Sequence, residues 1–463
     1  MSLDIVILAA GQGTRMKSRL PKVLHPLAGQ PLVLYSVQEA TSVSQRPSVL
    51  VIGHGGDAVR QVVGEAARYV VQPEQLGTGH AVLQARSLLE GNSQHVMVFY
   101  ADMPLLRGST LRRLYETQQS HNGPLSMLTL VTDNARGFGR IVRDGQGGVR
   151  EIVEEAQAAP EQLKIREVNP GVYCFNADWL WGHIDRLPLS PKGEYYLTDL
   201  VAMAVGEGTT VKAISMDDPD EAMGINTRIH LAEAEAALRK RVNEQLMLSG
   251  VTIVDPATTY IHPSVQVGQD TTILPNTHLR GATVIGQDCI IGPNTVIENS
   301  TVGDGCAVTA SFLEAAIVED QVDVGPFGHL RKGAYLESRV HMGNFGEIKN
   351  SRLRRGVKMG HFSYIGDADV GDETNIGAGT ITCNYDGAHK NKTIIGKRVF
   401  IGSDTMLVAP VTLGDDARTG AGSVVTRDVP SGALVYGVPA HSPASKTPAA
   451  SPLPIDGEGE QEG

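Results

Sequence analysis

Two short stretches hold the residues best able to do chemistry. Near the start, L-A-A-G-Q-G-T-R-M (Leu8 to Met16) is followed by L-P-K-V-L, which contains Lys22. Gly11 and Gly13 let a backbone loop approach a phosphate closely, and the loop amides and the next helix end can hold its charge. Arg15 and Lys22 add full positive charge. The loop matches neither common phosphate fingerprint. Met16 stands where a dinucleotide loop has its third glycine, and no Gly-Lys-Ser/Thr follows. Further on, the apolar run from Val96 leads into Tyr100-Ala101-Asp102. A carboxylate at the carboxyl end of a parallel strand is well placed to hold a metal ion at the sheet's crevice. An Asp two residues before Pro104 is also a plain turn former.

The second stretch is K-M-G-H-F-S-Y-I-G-D-A, then N-I-G-A-G-T-I-T-C-N-Y-D-G, holding His361, Tyr364, Asn375, Ala378, Asn384 and Tyr385. Histidine is the natural general base near neutral pH, although a lone histidine is more often structural. Ahead of it stand Arg331, Lys332, Arg339, Lys349, Arg352, Arg354, Arg355 and Lys358, against Glu337 and Glu347. In a chain of net charge −11, that local reversal points to an anionic ligand such as a phosphate. A solvated charged face is the competing reading. Zinc is discounted, because no two of the fourteen histidines have His-x4-His spacing.

The elements that position these residues differ in kind. Residues 1–226 alternate strand-like runs (Ile5 to Ala10, Ser48 to Ile52, Val96 to Tyr100) with helical patterns such as Ala81 to Leu89. This is the α/β pattern of helices covering a largely parallel sheet. Thr227 to Leu248 reads as one helix, a rigid linker over 227–250, with Thr227 as N-cap and Gly250 as stop. Its apolar stripe is Leu231, Leu238 and Val242. From 251 to 440 an aliphatic residue recurs every sixth position: Ile261, Val267, Ile273, Leu279, Ile285, Ile291, Ile297; then Val318, Val324, Leu330, Leu336, Met342, Ile348; then Ile395, Ile401, Leu407, Leu413. Six fits neither a helix nor a lone strand, but it fits a parallel β-helix whose flat sides are hexads. Glycine often follows the aliphatic, where the chain turns a corner and needs an unusual φ or no side chain. Residues 441–463 turn to Ser, Pro, Ala and then Gly-Glu repeats, an expected disordered acidic tail.

Composition excludes several classes. A net charge of −11 argues against a nucleic-acid or anionic-membrane surface. Four dispersed cysteines suit a reducing cytosol, so the expected location is cytoplasmic. No apolar run is long enough to span a membrane, and the N-terminus has no signal-peptide pattern.

The first stretch resembles the sugar-1-phosphate nucleotidylyltransferases, whose signature is this Gly-rich loop with a trailing Arg and Pro-Lys. The resemblance implies a Rossmann-like fold and an Mg²⁺ ion held by Asp102 and by Asn226 in G-I-N-T. Leu8, Ala9, Ala10, Gly11, Lys22, Tyr100 and Ala101 would line the nucleotide site. Gln72, Gly77 and Thr78, in Q-P-E-Q-L-G-T-G-H, match positions that hold uracil. Gly139, Glu154 and Asn169 match positions that contact the sugar. Arg15 and Lys22 would stabilise the triphosphate as it is cleaved.

With the hexad half included, residues 3 to 440 resemble the bacterial bifunctional uridyltransferase/acetyltransferases that make UDP-N-acetylglucosamine, a precursor of cell wall and surface polysaccharide. That resemblance implies a left-handed β-helix and acetyl transfer from acetyl-CoA to glucosamine-1-phosphate, followed by uridylyl transfer from UTP. His361 would be the base and Glu347 would orient it. Arg331, Lys349, Tyr364 and Asn375 would hold the sugar phosphate. Ala378 would offer an oxyanion N–H, and Asn384, Tyr385, Ser403 and Ala421 would line the acetyl-CoA groove. It also implies a homotrimer. One departure stands out: Gly437 falls where the family often has an Arg that contacts CoA phosphate. Arg427 and Lys390 are the candidate substitutes, and weaker CoA anchoring is expected.

Overall fold

The computed structural model describes residues 2–135 and 137–442. Most of the acidic tail, 443–463, lies outside the described residues. Contacts divide the chain into two compact units, Met1–Arg239 and Lys240–Gly463.

The first unit is built on a ten-stranded sheet. Its leading strands run Ala67–Val71, Ser48–Ile52, Leu3–Leu8, His95–Tyr100 in spatial order, all parallel. In the Leu3–Leu8 strand, Ile5 and Ile7 enter one apolar cluster while Val6 and Leu8 enter the other. Helices Leu32–Val43 and Gly108–Gln119 cover the first face; Thr78–Leu83, Ala177–His183 and Asp199–Gly206 cover the second. A strand buried on both faces reads as a continuous apolar run, which is why these strands are legible. The parallel order stops at His95–Tyr100. Its other neighbour, Tyr173–Asn176, is antiparallel, as are the further pairings of Leu125–Val131 with Tyr173–Asn176 and with Glu167–Asn169. The expected helix at Ala81 to Leu89 is two pieces, Thr78–Leu83 and Arg86–Leu89. Between them the chain tightens to three-residue turns, with Gln84 N donating to Ala81 O and Ala85 N to Val82 O.

The helix Arg228–Leu248 starts where the His230 N–H donates to the Thr227 hydroxyl, 3.2 Å. It ends at Gly250, φ +98°, with Val251 N returning to Leu246 O. Ala234, Leu238 and Val242 are buried along it, and Leu231 is only half-buried. The division between the two units falls inside this helix.

The second unit is a left-handed parallel β-helix. Up to the last coil, each short strand pairs with the third one after it, giving three sheets of 11, 10 and 9 strands. The aliphatic register fills the axis: Ile273, Leu279, Ile291, Ile297, Leu330, Leu336, Met342, Ile348, Ile401, Leu407 and Leu413 are completely buried. Each such side chain contributes roughly 1.5–3 kcal/mol. Two positions before them, Thr271, Thr277 and Thr283 are buried too, and their hydroxyls donate to the carbonyls of Gly286, Leu274 and Arg280. Most corner glycines serve close approach rather than backbone angle. A Cβ on Gly343 would meet Gly360 O at 2.0 Å, and one on Gly402 would meet Ala421 N at 2.7 Å. Positive φ falls instead on residues such as Asp270, Asn276, Asp288 and Asn294, types that tolerate the left-handed region.

Candidate active sites

At the carboxyl ends of the parallel strands, four predicted residues converge. Lys22 Nζ pairs with the Asp102 carboxylate and donates to Asn226 Oδ1, 3.1 Å. Arg15 donates to the same Asn226 oxygen, 2.9 Å. Asp102 is placed by its strand, and its carbonyl accepts from Ile225 N, 2.9 Å, which draws the G-I-N-T segment in. The Lys22 and Asp102 side chains are 12% and 16% exposed, so each charge depends on the other. An Asp carboxylate and an Asn carbonyl turned toward one cation are hard oxygen donors, the set Mg²⁺ takes when phosphates and water complete its shell. No cluster of three or more His, Cys, Asp or Glu suited to a metal occurs among the described residues.

Two cavities meet at this point. One, roughly 320 Å³, is lined by Leu8, Ala9, Ala10, Gly11, Lys22, Gln72, Gly77, Thr78, Tyr100 and Asp102. The other, roughly 300 Å³, is lined by Gly139, Glu154, Asn169 and Asn226, and shares Thr78, Tyr100 and Asp102 with the first. A Cβ at Gly11 would meet nothing within 4 Å, so the loop faces open space. At Gly77, φ +96°, a Cβ would strike Tyr195 O at 2.6 Å. Gln72 is fixed by donating to Gly77 O, 3.0 Å. Asn169 donates to the Tyr173 hydroxyl, 2.6 Å, and accepts from Gly171 N, 3.0 Å. Burial holds the Glu154 carboxyl above its ordinary range, and a hydrogen bond from Thr198 only partly offsets this. Ala101 is fully buried beneath the site and lines neither cavity; its N–H donates to Leu8 O, 3.0 Å.

The sequence reading missed Gln75, Glu194, Tyr196 and Thr198. Gln75 donates to Ala10 O, 2.6 Å, which ties the uracil-matching segment to the Gly-rich loop. Tyr196 borders both cavities. Its segment reaches the site because Tyr195 N donates to Leu76 O and Gly79 N donates to Tyr195 O, each 2.8 Å.

In the β-helix, the predicted residues gather on one corner and its two flanks. His361 and Phe362 lie on one coil. Gly379 N donates to Phe362 O, Asp404 N to Ala378 O and Gly422 N to Ser403 O. His361, Ala378, Ser403 and Ala421 therefore follow one another up the corner, about 5 Å per coil. One flank is the sheet in which Glu347 opposes Tyr364 and Lys349 opposes Gly366. Arg331 stands one coil lower. The other flank carries Asn375, between Lys358 and Phe400. Glu347 accepts from Arg331 Nη1, 2.9 Å, and not from His361. Asn384 is buried and donates to Asp367, while Tyr385 is exposed and donates to Gly387 O, 2.6 Å. Gly437 has φ +98°, a backbone conformation that an arginine rarely adopts.

Residues 5–168 match the MobA-like NTP transferase domain, and residues 264–299 and 392–427 match the bacterial transferase hexapeptide repeat. The chain is 49% identical over 430 residues to the bifunctional protein GlmU of Heliobacterium modesticaldum, covering 93% of this chain and 94% of that protein. The GlmU of Stutzerimonas stutzeri is 49% identical over 442 residues, covering 94% and 96%. That of Trichlorobacter lovleyi is 48% identical over 433 residues, covering 93% and 94%. The chain belongs to the bifunctional GlmU family. Its two family-model matches fall one in each compact unit, so a GlmU chain carries a nucleotidyltransferase half and a hexapeptide transferase half. No described helix is long and apolar enough to cross a membrane.

Proposed function

We propose that the chain makes UDP-N-acetylglucosamine in two steps, acetylating glucosamine-1-phosphate on the β-helix and coupling the product to UTP in the α/β unit. The observation that carries the second step is the Arg15–Lys22–Asp102–Asn226 cluster where two cavities meet. Its size and position suit a uridine phosphate on one side and an amino sugar on the other.

In uridylyl transfer, a phosphate oxygen of N-acetylglucosamine-1-phosphate attacks the α-phosphorus of UTP in line. The bond to the β-phosphate bridge oxygen breaks and pyrophosphate leaves. The protein's work is positioning and charge neutralisation. Gln72, Gly77 and Thr78 hold uracil, and Gly139, Glu154 and Asn169 hold the sugar. Lys22 and Arg15 face the triphosphate, and Asp102 with Asn226 would hold Mg²⁺. The ion supplies charge neutralisation at the phosphate oxygens.

In acetyl transfer, Arg331, Lys349, Tyr364 and Asn375 hold the acceptor. Its amine attacks the thioester carbonyl, His361 takes the amine proton, and the C–S bond breaks to release CoA thiol. The Ala378 N–H faces the developing oxyanion. Ser403, Ala421, Asn384 and Tyr385 run along the pantetheine path. Three exposed phenylalanines support a homotrimer, in which a second copy covers this corner. Phe327, Phe345 and Phe362 are 58%, 59% and 54% exposed on the coils leading to His361. Four unpaired cysteines support a cytoplasmic location. Supplying acetyl-CoA, glucosamine-1-phosphate, UTP and Mg²⁺ should release both thiol and pyrophosphate. Either product without the other would break the two-step reading, and sedimentation of an active preparation as a monomer would break the trimer.

A further inference from the structure

The acetyl-transfer reading gives Glu347 the task of orienting His361, yet the carboxylate is held by Arg331. We propose that this is an exchange built into the site. Arg331 holds Glu347 in the free protein, and the acceptor's phosphate, by taking Arg331, releases Glu347 to His361. The inference rests on the acetyl-transfer reading above and adds a second task for Arg331, the positioning of another side chain.

The geometry is a ladder. Phe312, His329, Glu347 and Tyr364 oppose one another on successive coils. Arg331, two residues after His329, donates from Nη1 to Glu347 Oε1 above it, 2.9 Å. Its Nε lies 3.8 Å from Glu314 Oε1 on the coil below. His329 Nε2 lies 3.7 Å from that same Glu314 oxygen. A guanidinium has five N–H donors and no acceptor, so Arg331 can hold both carboxylates at once. The two contacts are unequal, and the outcome on ligand binding follows from this. A phosphate dianion carries more charge than Glu347 and matches the guanidinium fork in two hydrogen bonds. It takes the Nη edge, while the more distant Glu314 keeps the guanidinium oriented from below. Glu347 is then left beside a dianion and moves away from it. The groups around Glu347 are His329 below, Tyr364 above, Lys349 on its own strand, and His361 at the corner of the next coil. His361 is the one that becomes cationic in the reaction, so an anion is worth most there.

This makes the phosphate part of the catalytic apparatus. An amino sugar without phosphate leaves Glu347 on Arg331 and should lose kcat as well as affinity. Specificity for phosphorylated acceptors then arises from assembling the base, in addition to binding.

The test follows the titration of His361 in the full-length protein, read by diethyl pyrocarbonate modification across pH with peptide mapping. In the free protein, Arg331→Met should raise the His361 pKa by about one pH unit, because Glu347 is freed. Combining it with Glu347→Gln should cancel the rise. A rise that survives Glu347→Gln would come from losing the arginine charge itself and would overturn the exchange, as would no rise at all. Glu347→Gln alone, with glucosamine-1-phosphate bound, should lower the His361 pKa. If it does not, the orienting role of Glu347 fails, which is a failure of the underlying reading and distinct from failure of the exchange. Arg331→Gln replaces Arg331→Met should the latter not fold, and unchanged circular dichroism qualifies each variant. As an independent readout, Arg331→Met should raise kcat for phosphate-free glucosamine severalfold over wild type, and an equal or lower kcat counts against the exchange.

Discussion

The two candidate sites set their charged residues in opposite surroundings. In the α/β unit, loops from several strand ends fold over a crevice, and Lys22 and Asp102 are paired there almost out of contact with solvent. On the β-helix, Arg331 and Glu347 are 38% and 36% exposed and His361 is exposed. The difference follows from architecture. Strand ends can be roofed by their own connections, because βα loops have freedom in length. Hexad coils present side chains outward from flat faces and leave a chain alone little to close over them. A crevice site can be finished within one chain, whereas an open β-helix face has most to gain from a second surface.

Three outcomes would sharpen that contrast. The largest is expected for Asp102→Ala, which should lower pyrophosphate release by about 10³-fold or more while leaving thiol release unchanged. Near-normal uridylyl transfer at ordinary Mg²⁺ would remove Asp102 from the metal site. His361→Ala should lower thiol release by about 10²-fold and leave pyrophosphate release from added N-acetylglucosamine-1-phosphate intact. A smaller effect is expected on dilution. Thiol release per chain should fall severalfold as subunits separate, while pyrophosphate release per chain stays constant. Equal behaviour of the two activities would show that the open site needs no partner.

Legibility in the sequence follows the same division. The Gly-rich loop and Asp102 are readable because their chemistry sits at strand ends marked by apolar runs, whereas Asn226 is reached only through the family resemblance. Tyr196 and Thr198 are not readable, since they reach the site through pairings such as Leu197 N to Thr78 Oγ1, 119 residues apart, which no local pattern records. In the β-helix, the strict six-residue register stops at Ile297 and Ile348. It continues instead through five-residue sides, to Val302 and to Leu353, both buried. Near the active corner it runs through Thr382, a polar residue in an aliphatic column. Thr382 is 1% exposed, donates to Gly366 O, 3.0 Å, and accepts from Gly366 N, 2.7 Å. The period broke where the coil beside Tyr364 exchanges apolar packing for hydrogen bonds. The Glu347 pairing was illegible for another reason: two carboxylates, Glu314 and Glu347, compete for Arg331, and sequence does not rank them.

Enclosure should also leave a thermodynamic trace, the smallest effect expected here. Burial holds the Glu154 carboxyl above the ordinary range, so its ionised form opposes folding. The sign follows from linkage: a carboxyl whose folded pKa is raised costs nothing while protonated in both states. The cost builds as pH rises above the unfolded value and is complete above the raised folded value. Glu154→Gln keeps an oxygen to accept from Thr198 and removes the charge. The variant's Tm should exceed that of wild type by on the order of a degree at pH 8, and the difference should vanish near pH 4. The KM for N-acetylglucosamine-1-phosphate should rise in the same variant, since the ionised carboxylate is the stronger acceptor for a sugar hydroxyl. A Tm below that of wild type at pH 8 would mean that ionised Glu154 stabilises the fold, and the enclosed site would then carry no such cost.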